Sequence, residues 1–239
     1  MKNAFTLAEV LITLGIIGVV AALTLPSVVQ NYQKRSLEVA TQKFYSVMSQ
    51  AIKQYMADEG VDDLRQSSLI LSHNYNDEDI INNDDNFFKK YLKAQICEDG
   101  CFADNYKTQT GETSYAVGKS VDNNTEGRYL LPDGMVVNNK YGEIIGDVYS
   151  PGKLYVDVNG RRGPNKVGYD LWGMSIFYDG IIDESALTPE CRKNNDKCFE
   201  YFGHTPKEIR DNRFQYCRTM ETYGGCFGHF LENGFKFDY

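Results

Sequence analysis

The sequence predicts an α+β fold: one long N-terminal helix packed on a C-terminal head built around an antiparallel β-sheet. Three observations predict it. An uncharged apolar run from Val10 to Val29 leads into an amphipathic stretch that ends near Ala57. Eighteen of the 21 glycines lie from Gly100 onward, where short β-type runs alternate with turn residues. Neither a long Pro- or Ser-rich linker nor an internal repeat divides residues 58–239, which are therefore expected to form one globular domain.

The apolar run comes first. Its 20 residues, at ~1.5 Å each, make a helix about 30 Å long, the thickness of the bilayer core. Gly15, Gly18 and Pro26 interrupt it, as transmembrane helices tolerate. Glu9 stands at its start, and an acid this close to hydrocarbon is costly enough to need a reason. An ordinary secretory signal would use Val20-Ala21-Ala22 as its cleavage site, but Lys2 is the only basic leader residue and the run is long. A plain anchor finds little support from the positive-inside rule, because Lys34 and Arg35 lie on the far side of the run and outnumber Lys2.

The helix is expected to continue. Leu37, Ala40, Phe44, Val47, Ala51 and Tyr55 recur every three or four residues, with Met48 and Ile52 beside them, and Gly60 suits a C-cap. Residues 58–86 are acidic and Asn-rich and read as loop with short helix. Phe87 to Leu92 begins a second short amphipathic helix. Candidate strands are Arg128–Leu131, Met135–Val137, Lys153–Val158, Leu171–Tyr178, Phe227–Leu231 and Phe235–Tyr239. Pro132-Asp133-Gly134 and Glu232-Asn233-Gly234 read as turns between them.

Composition excludes whole classes. With 24% charged and 42% hydrophobic residues over 239 positions, the chain is not wholly disordered. Its net charge of −8 argues against a general nucleic-acid binder, and no nucleic-acid partner is expected. The interval from Asp58 to Asn86 holds nine acids and one base, so the rest of the chain is close to neutral. No nucleophile elbow, P-loop or dinucleotide fingerprint appears. Ser150-Pro151-Gly152-Lys153 has the letters S-x-x-K, but Pro-Gly makes a turn where that motif needs a helix start. His204 and His229 lie near cysteines and could in principle activate a thiol, but a surface or core histidine is the preferred reading of each. No enzymatic activity is expected.

Ala4-Phe5-Thr6-Leu7-Ala8-Glu9-Val10-Leu11-Ile12 resembles the processing site of type IV prepilins and type II secretion pseudopilins. The resemblance implies a leader of residues 1–4, cleavage between Ala4 and Phe5, and N-methylation of Phe5 by a prepilin peptidase and methylase. It makes Glu9 the fifth mature residue, paired in a filament with the Phe5 amine of a neighbour; a mismatched register would leave a buried, unpaired charge. The leader ends in Ala where the family more often has Gly. Leu131-Pro132-Asp133-Gly134, Asp157 to Asn165, and Glu232-Asn233-Gly234-Phe235-Lys236 are similar to pilin-like head segments, less specifically. The implied organisation is a leader (1–4), a long helix (5–57, membrane-spanning at 10–29) and a pilin-like head (58–239). The implied role is a structural subunit of a type IV pilus or type II secretion pseudopilus, its partners being copies of itself and other pilin-like subunits. Before assembly it would sit in the bacterial inner membrane, single-pass with the head outside the cytoplasm, and afterwards in a periplasmic or extracellular filament. A minor, tip or DNA-uptake pilin is the alternative within this class. A membrane-tethered periplasmic enzyme or binding protein is the alternative outside it, but a tether needs neither Glu9 nor a Phe at the cut.

Cys97, Cys101, Cys191, Cys198, Cys217 and Cys226 all lie beyond the apolar helix, on the exported side. An even number in an oxidising compartment reads as disulfides, and local pairing (97 with 101, 191 with 198, 217 with 226) is the simplest of many connectivities. Zinc is disfavoured, since there is no CxxC pair and His73, His204 and His229 show no ligand spacing. No cofactor is required. Asp157, Asn159 and Asp170, around a Gly-containing loop with Asn165, offer oxygens of the kind Ca²⁺ prefers, and major pseudopilins carry Ca²⁺ in a C-terminal loop. The competing reading is that these side chains cap turns through their own backbone.

Overall fold

The computed structural model describes residues 6–67, 87–97, 100–114, 128–139, 152–219 and 225–239. Helix α1, Leu7–Glu59, is continuous through Pro26 and stops at Gly60, whose left-handed conformation (φ 68°) closes the last turn with an N–H to the Ala57 carbonyl. A 3₁₀ turn, Leu64–Gln66, and helix α2, Phe87–Leu92, follow. The strands are β1 (Gln95–Ile96), β2 (Tyr106–Lys107), β3 (Thr113–Ser114), β4 (Arg128–Leu130), β5 (Val136–Asn139), β6 (Gly152–Asp157), β7 (Leu171–Ile176) and β8 (Ile182–Asp183). β1-β4-β5-β6-β7-β8, in that order, form one six-stranded antiparallel sheet, while β2 and β3 pair separately. Four short helices close the chain: α3 (Pro189–Lys193), α4 (Asn195–Phe202), α5 (Pro206–Thr219) and α6 (Cys226–Glu232).

The expected α+β arrangement is thus present, with the sheet packed on the second half of α1. Leu37, Phe44, Met48, Ala51, Ile52 and Tyr55 are buried in one core with Val137, Leu154, Val156, Trp172 and Ile176 of the sheet. The buried stripe is rotated from the one read in the sequence. Val47 is 39% exposed, whereas Thr41 is fully buried with its hydroxyl bonded to the Leu37 carbonyl. A hydroxyl satisfied inside its own helix can face a core, so polarity alone misplaced the stripe. Phe88 of α2 stacks on Tyr129 of β4 with centroids 4.3 Å apart, fixing the short helix to the sheet.

Two strand assignments fail. Phe227–Leu231 is helical, because Phe227, Phe230 and Leu231 have the i, i+3, i+4 spacing of one helix face, and Phe227 and Phe230 both pack on Trp172. Phe235–Tyr239 is an irregular tail that starts at a left-handed bend (Phe235, φ 61°) and has no strand partners among the described residues. It is held instead by rings and side chains: Phe237 stacks on Tyr169 at 4.9 Å, and Tyr239 donates its hydroxyl to the Gly168 carbonyl. The Glu232-Asn233-Gly234 turn therefore joins a helix to this tail. The Pro132-Asp133-Gly134 turn joins β4 to β5 as expected.

Helices α3–α5 make a second, smaller core of Leu187, Cys191, Cys198 and Ile209. Asp179–Arg192 (2.7 Å), Asp183–Arg210 (2.9 Å) and Glu184–Arg213 (3.3 Å) tie it to the end of the sheet. Arg210 also donates to the Gly228 carbonyl of α6, so its guanidinium has partners on two elements.

Candidate functional site: the apolar half of the long helix

The feature that demands a partner is the first half of α1. Leu11, Ile12, Leu14, Ile16, Ile17, Val19 and Leu23 are between 60% and 75% exposed, and none of the most apolar 18-residue window is buried by the rest of the chain. Its mean hydropathy is 2.3, long and apolar enough to cross a membrane. Soluble proteins do not leave so large an apolar surface in water. The polar groups within it are satisfied locally. Thr13 bonds the Val10 carbonyl, Thr24 the Val20 carbonyl and Ser27 the Thr24 carbonyl. Pro26 has no N–H to give the Ala22 carbonyl, an omission that membrane helices tolerate.

At the N-terminal end Thr6 and Glu9 form a capping box. The Thr6 hydroxyl accepts from the Glu9 N–H (3.3 Å), and Glu9 Oε2 accepts from both the Thr6 N–H and the Thr6 hydroxyl (2.8 Å each). The prepilin resemblance makes Glu9 a charge awaiting an amine. The Thr-x-x-Glu spacing that marks a capping box was in the same nine residues and gives the acid a partner within its own chain. Ala4 and Phe5, where cleavage and methylation are expected, lie outside the described residues.

The other singled-out residues fall elsewhere. The six cysteines form the three local disulfides, Cys97–Cys101, Cys191–Cys198 and Cys217–Cys226, and no cysteine is free. No thiol is left for a histidine to activate. His229 stacks on Phe214 and pairs with Asp238 at 2.9 Å, while His204 is exposed. His73 and Ser150 lie outside the described residues.

Asp157 and Asp170 stand at the two ends of the β6–β7 loop and are brought together, both fully buried. Burial and the neighbouring Asp170 push the Asp157 carboxyl up to about 8, and burial pushes Asp170 up to about 6. All four of their carboxylate oxygens accept from protein donors. Tyr106 Oη (2.6 Å) and the Asn159 N–H (3.1 Å) donate to Asp157; the Asn165 (2.7 Å) and Lys166 (2.6 Å) N–H groups donate to Asp170. Asn159 turns its amide to the Gly163 carbonyl. As placed, Asp157 and Asp170 cap their own loop, while Oδ1 of Asn159 and Oδ1 of Asn165 beside them are buried without a hydrogen-bond partner. Among the described residues no group of three His, Cys, Asp or Glu side chains is arranged to hold a metal.

Residues 27–139, a little under half of the chain, match the model of a family of unknown function (DUF6613). No curated protein and no solved structure matches the chain.

Proposed function

We propose that this chain is a structural subunit of a helical filament of the type IV pilus or type II secretion pseudopilus class, cleaved before Phe5 and assembled through the first half of α1. The observation that carries the reading is the division of α1 into two halves. One half is buried against a sheet, while the other is apolar all round, bare, and headed by a single acid. A membrane solvates such a half before assembly, and copies of the same helix solvate it afterwards. The resemblance of Phe5 to Ile12 to a prepilin processing site supports the same reading. On it the chain is the substrate of a peptidase and methylase rather than an enzyme, and its head lies outside the cytoplasm, where the three disulfides are stable.

Glu9 would then exchange its Thr6 partner for the Phe5 amine of the next subunit. Glu9→Val removes a charge from an apolar helix and is expected to leave membrane insertion intact. It is also expected to abolish filaments, because the amine is left unpaired in the filament core. Shearing cells and weighing the filament fraction, alongside membrane fractionation, tests this. Wild-type filament yield from Glu9→Val would refute the pairing.

A further inference from the structure

Immediately beyond the apolar half, α1 and the C-terminal tail enclose an open groove of about 680 Å³. Lys34, Arg35 and Lys236 line it, with Glu38 as the one acid. Glu38 is already engaged by Lys236 Nζ and the Phe237 N–H, both at 2.9 Å. Lys34 Nζ is held at 3.0 Å by the Tyr239 main-chain oxygen, and each ammonium keeps N–H donors beyond the bond it makes. Among the described residues Arg35 forms no ion pair or hydrogen bond, so its guanidinium is free for a ligand. Lys166, stacked over the Tyr169 ring at 4.7 Å, adds to the positive field; burial and the nearness of Lys34 and Lys107 make it easier to deprotonate.

Depth decides the occupant. Lys34 follows Val29 by five residues, ~7.5 Å along the axis, which carries it out of the hydrocarbon and into the headgroup layer. Tyr32, 74% exposed, stands at the boundary where interfacial aromatics collect. Basic residues on this side of the span run against the usual charge bias, and a bound anion gives them a role. We infer that the Lys34–Arg35–Lys236 groove binds the phosphate of an anionic phospholipid in the leaflet that faces the head. The inference rests on the first half of α1 lying in a membrane and not on filament assembly.

The test is hydrogen exchange over residues 31–39 and 234–239 of the full-length chain, in vesicles of phosphatidylcholine alone and in vesicles with phosphatidylglycerol added. Exchange is expected to slow on adding phosphatidylglycerol. Arg35→Gln should lose about fivefold of that protection, the factor equivalent to about 1 kcal/mol per basic residue near an anionic surface. Arg35→Lys should keep most of it. Arg35 is exposed and unpaired, so neither variant disturbs the fold. Equal exchange in the two compositions, protection undiminished in Arg35→Gln, or the same protection from inorganic phosphate over phosphatidylcholine vesicles would each overturn the inference. Flotation separates the premises. A chain that floats but exchanges equally keeps its anchor and loses only this site, whereas one that floats with neither vesicle loses both.

Discussion

Asp157 is an acid placed where water cannot reach it, and its neighbours set what that costs. Tyr106 and two backbone N–H groups bond its carboxyl, yet burial and Asp170 still favour the protonated form, as burial does for Asp170 itself. Both carboxyls hold a proton more tightly in the folded chain than in the unfolded one, where the ordinary value is near 4. Between about pH 4 and the folded values of about 6 and 8, the folded state binds more protons, and stability falls as pH rises through that window. The denaturant midpoint of the detergent-solubilised chain is therefore expected to be higher at pH 5 than at pH 8, and Asp157→Asn should narrow the difference. A midpoint that climbs from pH 5 to 8, or a difference unchanged in Asp157→Asn, would contradict this account of the loop.

At the scale of elements, α1 is joined to the sheet mainly by a few large side chains. Phe44 is 1% exposed, and Phe44→Ala should cost about 3–5 kcal/mol, seen as a lowered denaturant midpoint. A loss below about 1 kcal/mol would mean that the helix half is not docked as described. Helices α3 and α4 depend on a different device. Their core is four residues, two of which are the cysteines of one bridge, so the disulfide supplies what apolar area cannot. Lys193 and Lys197 are exposed but held in the two bridged helices, so reduction is expected to speed trypsin cleavage after them before the β-sheet loosens. Thiol titration of the denatured, unreduced chain should find no reactive thiol, and six would remove the bridges from the account. Much of this level was legible in the sequence. The uncharged run, the continuation of the helix to Gly60 as its cap and the β4–β5 turn all follow from local chemistry that the tertiary structure does not override. The helices of residues 189–219 were not read, although Thr188-Pro189, the N-cap Asn194, Gly203 and the Thr205–Glu208 capping box all punctuate them. α3 and α4 are only five and eight residues long, too short for a hydrophobic period to repeat, although Cys198, Phe199 and Phe202 share one face of α4. The Phe227 to Leu231 segment failed for a different reason: its aromatics suit a strand by propensity, and only their spacing of three betrays a helix face packed on Trp172.

The whole molecule is one helix in two solvents. From Leu37 onward α1 is part of a protein core, and before Val29 nothing among the described residues covers it. The neck between them carries both the tail contacts at Lys34 and Glu38 and the proposed lipid groove, so the head is fixed to the helix just beyond its apolar half. A chain built this way is expected either to stay in a bilayer or to bury its first half against copies of itself, and the Thr6–Glu9 cap satisfies the acid within its own chain, a partner that on the proposed function an amine would replace. On the proposed function, processing at Ala4–Phe5 commits the helix to the second fate. Mass spectrometry of the N-terminal peptide from the native protein tests this most directly. The account predicts a chain that begins at Phe5 and carries an N-methyl group there, whereas a mature N-terminus at Leu23, or an unprocessed Met1, would contradict it.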